Sequence, residues 1–231
     1  IELIIEGAIN ILPDPYLSDI DLDDDDWGSA VSVGRLLLNI GLETVQEFEK
    51  GRSILSRAQS WLAALLREGS LDRRERVEAG NLLAKLGDPR FDSAKWYLPS
   101  EPLLGFVEIP AGPFIMGELE EKHETSLPTY YIARYPVTVA QFKEFVLESD
   151  FSLEFTESLN GLDNHPMVLV SWDDAIVYAK WLGGKLIALS KSYASQKNLS
   201  KGVLKFWEGL RDGRLVVTLP SEAEWEKAAR G

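Results

Sequence analysis

The sequence predicts an α+β protein in which an α-helical N-terminal segment precedes a domain of short strands and few helices. Across residues 27–86, apolar side chains recur at spacings of three and four, which is the period of amphipathic helices. From Phe106 onward, short apolar runs bounded by Pro and Gly alternate with isolated helical patterns. We therefore expect a helical repeat-like segment at 1–92, a Pro- and Gly-containing linker at 93–105 and a second domain at 106–231.

Composition limits the class of protein. The 231 residues are 45% hydrophobic, which can fill the core of one large domain or two smaller ones. No uninterrupted apolar run approaches the roughly 18 residues of a membrane span, and no signal segment opens the chain, so we expect a cytoplasmic protein without membrane contact. Because the sequence contains no Cys, it has no disulfide framework, thiolate nucleophile or Cys-based metal site.

The acidic residues are concentrated at one end. Of the formal net charge of −13, residues 1–26 hold nine acids and no Lys or Arg. This balance makes nucleic acid an unlikely partner. The run at 23–26 is four consecutive Asp, which either forms a solvated loop or binds Ca²⁺. The loop is favoured, because the alternating oxygen ligands and the turn glycine of a calcium loop are missing.

The helical segment contains three or more short amphipathic helices in series, a pattern that resembles a helical repeat or the end of an α-solenoid. Gly69 is predicted to end one helix, and Ser70 or Asp72 to cap the next, which ends at Gly87. Residues 1–12 read as the last helix of a preceding unit.

The second domain is predicted element by element from its strand runs and helix caps. Strands at 106–109 and 114–116 are expected to be joined by a tight turn, with a third strand at 130–133. The remaining expected elements are a helix at 139–148 capped by Thr138, a helix at 172–182 capped by Ser171, a strand at 216–219, and a helix opened by a capping box of Ser221 and Glu224.

The two histidines are His123 and His165. Either side chain is able to act as a base or a metal ligand, but neither has a second ligand at a metal-binding spacing. A structural role in a turn or in packing is therefore favoured for both. No residue of the chain is predicted to be catalytic, to ligate a metal or to bind a cofactor.

Three tryptophans, Trp172, Trp181 and Trp225, lie at helical spacings typical of core residues. Burial is favoured for all three, and a carbohydrate or ligand platform is the alternative. Their acidic neighbours are expected to be solvent-facing caps; they are Asp173, Asp174, Glu222 and Glu226.

Residues 183–214 carry seven basic residues against two acids, with aromatic residues between them. This composition suits a surface that binds phosphates, nucleic acid or an acidic partner. The alternative, which is favoured, is a helical insertion with a solvated lysine face. The residues expected to contact a protein or acidic partner, if there is one, are Lys191, Lys197, Lys201, Lys205 and Trp207.

Four sequence blocks carry a family resemblance: FVEIPAGPFIMG at 106–117, YIARYPVTVAQFKEFV at 131–146, HPMVLVSWDDAIVYAKWLG at 165–183 and PSEAEWEKAARG at 220–231. Together they closely resemble the formylglycine-generating-enzyme family, also called the sulfatase-modifying-factor family, and they occur in that family's order. The resemblance implies an irregular, C-type-lectin-like fold. In the family, the block that matches 220–231 falls near the middle of the domain, so the fold is expected to be truncated here at its C-terminal side. A block at 74–90 resembles the helix that precedes such domains in bacterial NACHT-type multidomain proteins.

Members of the family with enzymatic activity use O₂ to oxidise a substrate cysteine to formylglycine, with copper held by a cysteine pair, and relatives use a His-ligated non-haem iron. None of those ligands matches a residue of this chain, so no cofactor is expected within it. Two positions depart from the family pattern: Ala179 replaces a frequent Cys, and Thr218 replaces an Arg that forms a family salt bridge. Other relatives keep the fold and use it for binding.

These observations favour a non-catalytic ligand- or protein-binding or sensing module of a larger bacterial signalling or defence protein, in contact with upstream and downstream domains of one polypeptide. The alternative is part of a metal-dependent oxidoreductase whose active site lies beyond residue 231. A third hypothesis is a scaffold that acts through its helical segment alone.

Overall fold

In the computed structural model, residues 1–12, 24–68, 71–193 and 198–230 are described, with backbone alone for 24–26 and 68. The chain divides into a first unit, Ile1–Ser93 with Gly161–His165, and a second unit, Ala94–Asn160 with Pro166–Gly231. The domain boundaries predicted from the sequence, with a linker at 93–105, remain a prediction. Every helix in the described ranges is too short or too polar to cross a membrane.

The first unit is helical. Its helices are α1 (Glu2–Ile11), α2 (Asp24–Ile40), α3 (Leu42–Glu47), α4 (Glu49–Glu68) and α5 (Arg73–Leu86). The longest, α4, packs against each of the other four. Its apolar stripe supplies fully buried side chains that include Ile54, Trp61 and Leu65. The helical periodicity read from the sequence is thus confirmed, because one apolar face per helix converges on a shared core.

The helix caps of this unit settle one open assignment. Asp72 caps α5: its carboxylate accepts hydrogen bonds from the amides of Arg74 and Glu75, and the Glu75 carboxylate accepts one from the Asp72 amide. Ser70 and Gly69 lie outside the described residues. The loop predicted at 23–26 is wrong for its last three residues, which begin α2. Acidic residues suit the positive end of the helix dipole, so an Asp run is able to start a helix.

The second unit contains two small antiparallel sheets. Strand β3 (Phe106–Ile109) pairs with β6 (Tyr130–Ala133), and β4 (Gly112–Met116) pairs with β5 (His123–Leu127). The first two strands were expected to be joined as neighbours through a tight turn, but each pairs with a later strand instead. The chain also forms short strands β1 (Phe91–Asp92) and β2 (Leu98–Pro99), before β3 in sequence.

Four helices complete the second unit: α6 (Val139–Ser149), α7 (Trp172–Tyr193), α8 (Lys201–Arg211) and α9 (Glu222–Arg230). The predicted caps are confirmed. Thr138 and Gln141 form a capping box on α6. Ser171 with Asp174, and Ser221 with Glu224, form the same reciprocal pair of bonds at α7 and α9. Each box satisfies amides that a helix start leaves unpaired.

The core of this unit lies where α6, α7 and α8 meet. The rings of Phe142 and Tyr178 stack at 5.5 Å, and Phe145 meets Tyr178 edge-on at 5.6 Å. Leu182 and Leu186 continue the same buried face along α7. Burial raises the pKa of the Tyr178 hydroxyl, so this group stays neutral across the physiological range.

The prediction of a paired strand at 216–219 is wrong. The side chains of residues 215–219 alternate between half-buried and exposed, but within the described ranges these residues join no sheet. The alternation that predicts a strand is present because Leu215 and Val217 pack on the core. Pairing depends on a neighbouring strand, which sequence periodicity does not report.

Candidate interaction surface

The basic segment at 183–214 is built from the second half of α7 and the whole of α8. Ser200 caps α8 by accepting a hydrogen bond from the Val203 amide. Helix α8 packs against α7. The turn after α8 lies close to α8 because residue 209 is Gly: a Cβ there would lie 2.7 Å from Leu215 Cδ1. The segment is therefore an integral part of the second unit's core.

Trp207 was predicted to contact a partner, and the structure corrects this. Its side chain is 0% exposed. Its ring stacks on Tyr193 with 4.3 Å between centroids and 8° between planes, and Phe206 meets it edge-on at 5.1 Å. The spacing of Phe206, Trp207 and Leu210 places all three on the core face of α8. An indole so enclosed stabilises the helix pair and is not available to a partner.

Lys185 is held inside the fold. Its ammonium lies 2.6 Å from a carboxylate oxygen of Glu148 on α6. It also lies 5.7 Å from the ring centroids of both Trp96 and Trp181, within cation–π range. Trp181 is itself half-buried and contacts Phe145, in keeping with its predicted core position. The charge of Lys185 is thus compensated locally.

Lys205 also has a carboxylate partner, and this contact links α8 to the sheet formed by β3 and β6. Its ammonium lies 3.1 Å from Glu108 of β3, and the hydroxyl of Tyr131 on β6 donates to the same carboxylate at 2.8 Å. These two contacts lower the pKa of Glu108, the Tyr131 bond more than the Lys205 bond. Burial, and then the Glu108 acceptor, raise the pKa of Tyr131 to about 12. The Tyr131 ring also packs on Phe206 at 4.9 Å.

Arg211 and Arg214 share one carboxylate at the end of α8. Asp212 accepts from Arg211 Nε at 2.8 Å and from Arg214 at 3.3 Å, and the bond from Arg211 is the main cause that lowers the Asp212 pKa. All three side chains are exposed, Arg214 the most. The local charge is consequently smaller than a count of basic residues suggests.

Two of the predicted partner-binding lysines remain exposed. Lys191, near the end of α7, and Lys201, at the start of α8, make no ion pair or hydrogen bond within the described ranges. Lys197 lies outside those ranges. The structure thus separates the predicted set: Lys205 is paired and Trp207 is buried, while Lys191 and Lys201 have no ion-pair partner among the described residues.

Trp172 and Trp225 were predicted to be buried, and the structure places both at the surface. Their exposed fractions are 67% and 62%. Trp172 is the first residue of α7, whose buried residues begin only at Tyr178. Each exposed indole has a carboxylate nearby in sequence, Asp173 and Glu222 respectively, and neither acid makes an ion pair or hydrogen bond with the described part of the chain.

Trp225 is exposed because α9 docks through its other face. Helix α9 packs against β4 and β5, and Glu226, Lys227 and Arg230 lie on the docking face. Glu226 accepts the Gly117 amide at 2.8 Å, which lowers its pKa more than its contact with Arg230 does. Lys227 donates to two carbonyl oxygens, at 2.8 and 3.0 Å, and Arg230 donates to the Gly117 carbonyl at 2.9 Å.

The histidines occupy separate places. His123 Nδ1 lies 2.8 Å from the Glu121 carbonyl oxygen, in the second unit. His165 Nε2 lies 2.8 Å from Asn81 Oδ1, in the first unit. Each ring thus has a hydrogen-bond partner of the kind a structural role requires. Within the described ranges, no three His, Asp or Glu side chains are grouped so as to hold a metal ion.

Sequence reasoning missed the exposed aliphatic residues that surround these elements. Val168, Leu169 and Val216 are 57%, 64% and 78% exposed. Leu169 also has φ of +57°, in the left-handed region that costs a branched residue energy. Their sequence context reads as ordinary core strand, so hydrophobicity alone gave no signal that they face solvent.

Comparison with known proteins identifies the family. Residues 98–231 match the model of the sulfatase-modifying factor enzyme 1-like domain, so more than half of the chain is covered and the protein belongs to this family. The match includes the two small sheets, α6, the α7–α8 pair and α9.

Two relatives are named formylglycine-generating enzyme. The one from Streptomyces coelicolor (strain ATCC BAA-471 / A3(2) / M145) is 34% identical over 73 residues, which is 32% of this chain and 13% of that protein. The one from Thermomonospora curvata (strain ATCC 19995 / DSM 43183 / JCM 3096 / KCTC 9072 / NBRC 15933 / NCIMB 10081 / Henssen B9) is 34% identical over 74 residues, or 32% of this chain and 14% of that protein. The chain thus aligns with about one seventh of these relatives' length.

The residues present do not fit the copper centre that the family resemblance implies. That centre is held by two thiolates, and the chain has no Cys. His123 and His165 belong to different units, and each already has a hydrogen-bond partner. No chemical step through copper is therefore derived for these residues.

Proposed function

We propose that the chain is a non-catalytic protein- or ligand-binding module of a larger bacterial signalling or defence protein, acting on a C-type-lectin-like version of the family fold. The observation that carries this proposal is the exposure of Trp172 and Trp225. Isolated exposed aliphatic side chains are ordinary, but a tryptophan buries more area than any other side chain on binding and is enriched at contact sites. Trp172 at the start of α7 and Trp225 in the first half of α9 are therefore candidate anchors.

Charge supplies the second part of the proposal. Lys191 and Lys201 keep ammonium groups that an acidic protein or ligand is able to neutralise, and Lys197 belongs to the same predicted set. Exposed charges contribute mainly to association rate and selectivity, while buried aromatic anchors contribute most of the affinity. We therefore expect Trp172 and Trp225 to determine affinity, and the lysines to determine its dependence on salt.

Site-specific photocrosslinking tests the proposal in cells. A photoreactive phenylalanine placed at 172 or 225 should give discrete adducts, and the same residue at Phe155, which is 49% exposed, serves as the matched control. Excess wild-type protein should compete these adducts away, whereas excess Trp172→Ala/Trp225→Ala protein should not. Adducts that both proteins compete equally, or no discrete adduct at either position, would contradict the proposal.

The alternative function is part of a metal-dependent oxidoreductase, and the names of the two relatives favour it. The assay is conversion of a Cys-containing peptide to an aldehyde, detected by mass and by hydrazide capture, with added Cu(I) or Fe(II) and O₂. On the proposed function, this chain gives no aldehyde and retains no stoichiometric metal after chelation. Aldehyde formation, or retained metal that is lost on His123→Ala or His165→Ala, would instead support the enzyme.

The scaffold hypothesis is separable by truncation. If the helical segment alone recruits the partner, a protein of residues 1–105 should give the same interaction as the whole chain, and Trp172→Ala with Trp225→Ala should leave it unchanged. The proposed binding module predicts the reverse result for both comparisons.

A further inference from the structure

Two tryptophan rings and a carboxylate surround one ammonium group in the second unit. The Lys185 Nζ lies 5.7 Å from the ring centroids of both Trp96 and Trp181, and the two rings meet edge-on with 6.2 Å between them. Glu148 supplies the carboxylate, 2.6 Å from the same Nζ. We call Trp96, Trp181 and Glu148 the ammonium cage, because aromatic rings arranged around a cation are how proteins recognise methylated ammonium groups.

The walls of the ammonium cage are held by contacts in which Lys185 takes no part. Trp96 Nε1 donates a hydrogen bond to Glu148 of α6 at 3.3 Å. The Trp181 ring packs on the buried ring of Phe145, with 5.6 Å between centroids. Because these contacts join both rings to helices α6 and α7, we expect the space between the walls to persist when the Lys185 side chain leaves it.

The backbone beside the cage is strained. Trp96 and Tyr97 have φ of +53° and +55°, in the left-handed region that residues with a side chain rarely adopt. The buried Gln141 side chain supports this conformation, since its Nε2 donates to the Tyr97 carbonyl oxygen at 2.9 Å. Strained backbone persists only where its surroundings fix it, and it clusters at ligand clamps and other functional sites. Gln141 thus helps to fix Trp96 without using the ammonium.

We propose that the ammonium cage is a binding site for a methylated ammonium ligand, which takes the place of the Lys185 side chain. The site is open enough for exchange, since 34% of the Lys185 side chain and 33% of the Glu148 side chain are exposed. A lysine ammonium is strongly hydrated and sits on a flexible stem, so it regains water on leaving. A methylated ammonium is larger and more weakly hydrated, and it keeps the attraction of both rings. Trp172 and Trp225 take no part, so this site is additional to the proposed function.

Chemical rescue of a variant that lacks the resident ammonium tests the proposal on the 231-residue protein. Lys185→Ala removes the charge and leaves room for a ligand, whereas Lys185→Met removes the charge but keeps a stem of similar length. Trimethylammonium chloride should raise the melting temperature of the Lys185→Ala protein saturably, with a midpoint on the order of 10 mM. It should raise that of the Lys185→Met protein no more than NaCl does. The wild-type protein should bind at least tenfold more weakly, because Lys185 has to leave first.

Two further variants locate the effect. Adding Trp96→Ala to Lys185→Ala should abolish the rescue, and Lys191→Ala, on the same helix, should behave as the wild type does. Far-UV circular dichroism establishes that each variant is folded; if Lys185→Ala is not, its refolding by trimethylammonium but not by NaCl is the same readout. Rescue no larger than that by NaCl, equal rescue of the Ala and Met variants, or rescue that survives Trp96→Ala would overturn the proposal.

Two ligands distinguish the possible sources of the ammonium group. Free trimethylammonium and a peptide that carries dimethyl-lysine both present methyl groups and one N–H, which Glu148 is able to accept. A peptide that binds the wild-type protein at least tenfold more tightly than trimethylammonium identifies a protein side chain as the ligand, and equal affinity identifies a small amine. If neither ligand shifts the indole N–H resonances of Trp96 and Trp181 in the wild-type protein, Lys185 is not displaced and the proposal is overturned.

Discussion

Helices α8 and α9 are both short and amphipathic, and each contains one tryptophan, yet the two indoles have opposite environments. Trp207 on α8 is 0% exposed, whereas Trp225 on α9 is 62% exposed. Helix α8 packs its apolar face into the core formed with α7. Helix α9 docks on β4 and β5 through Glu226, Lys227 and Arg230, whose side chains bond to backbone groups. A tryptophan's position on an amphipathic helix thus predicts burial only when the partner of that helix is apolar.

The largest expected effect comes from removing the buried indole. Trp207→Ala should destabilise the second unit by about 3–5 kcal/mol, as other large aromatic truncations in cores do. Trp207→Phe should cost much less, about 1–2 kcal/mol, because the indole N–H is buried without an acceptor in the described ranges and its loss removes no hydrogen bond. Chemical denaturation followed by circular dichroism measures both, and equal losses for Ala and Phe would contradict the packing described.

The next effect concerns the turn that follows α8. Gly209→Ala should destabilise by about 1–3 kcal/mol, because the added methyl would lie 2.7 and 2.8 Å from Leu215 carbon atoms. Gly184→Ala on α7 is the matched control, since a Cβ there meets nothing within 4 Å. It should stabilise the helix by about 0.4–1 kcal/mol. Melting temperatures that move in the same direction for both variants would argue against a tight α8 turn.

A smaller effect is expected from the polar docking of α9, and it depends on pH. The Gly117 amide and Arg230 hold the pKa of Glu226 below its ordinary value of 4.5. This carboxylate therefore contributes stability that is fully present above about pH 4.5 and is lost as the pH falls through its lowered pKa. Glu226→Gln should be less stable than wild type near neutrality, and the two melting temperatures should converge in acid. A constant difference at all pH values would refute the assignment.

The smallest effect on stability is expected for the exposed tryptophan. Trp225→Ala should change the free energy of unfolding by no more than about 0.5 kcal/mol, as is usual for surface substitutions. Iodide should quench the fluorescence of Trp225 in the wild-type protein. The fraction of the total tryptophan fluorescence that iodide quenches should therefore be smaller in the Trp225→Ala protein. A loss comparable to that of Trp207→Ala would show that the α9 tryptophan is a core residue after all.

Much of the local structure was predictable. The caps at Asp72, Thr138, Ser171 and Ser221 all form, because a capping box needs only residues three positions apart. The family was also predictable, since its four blocks are short contiguous patterns. The pairing of β3 with β6 and the solitary strand-like segment at 215–219 were not, because both depend on partners distant in sequence.

For the candidate contact residues, too, the sequence indicated some properties and only the folded structure explains the others. Composition located the basic residues of 183–214, but it had no means of showing that Lys185 and Lys205 pair with Glu148 and Glu108, from α6 and β3. Likewise it gave no indication that Trp207 stacks on a ring from the end of α7. Such pairings join residues from 14 to 97 positions apart, so their charges and rings find partners only once the chain has folded.

The sequence by itself determined the α+β class, the main amphipathic helices and their caps, the family and the lack of Cys, because each follows from residue identity or from spacings of a few residues. The tertiary structure decided which tryptophans are buried and which lysines are paired with a carboxylate. The physical reason is that exposure and compensation are properties of contacts between distant segments, which a linear pattern does not contain.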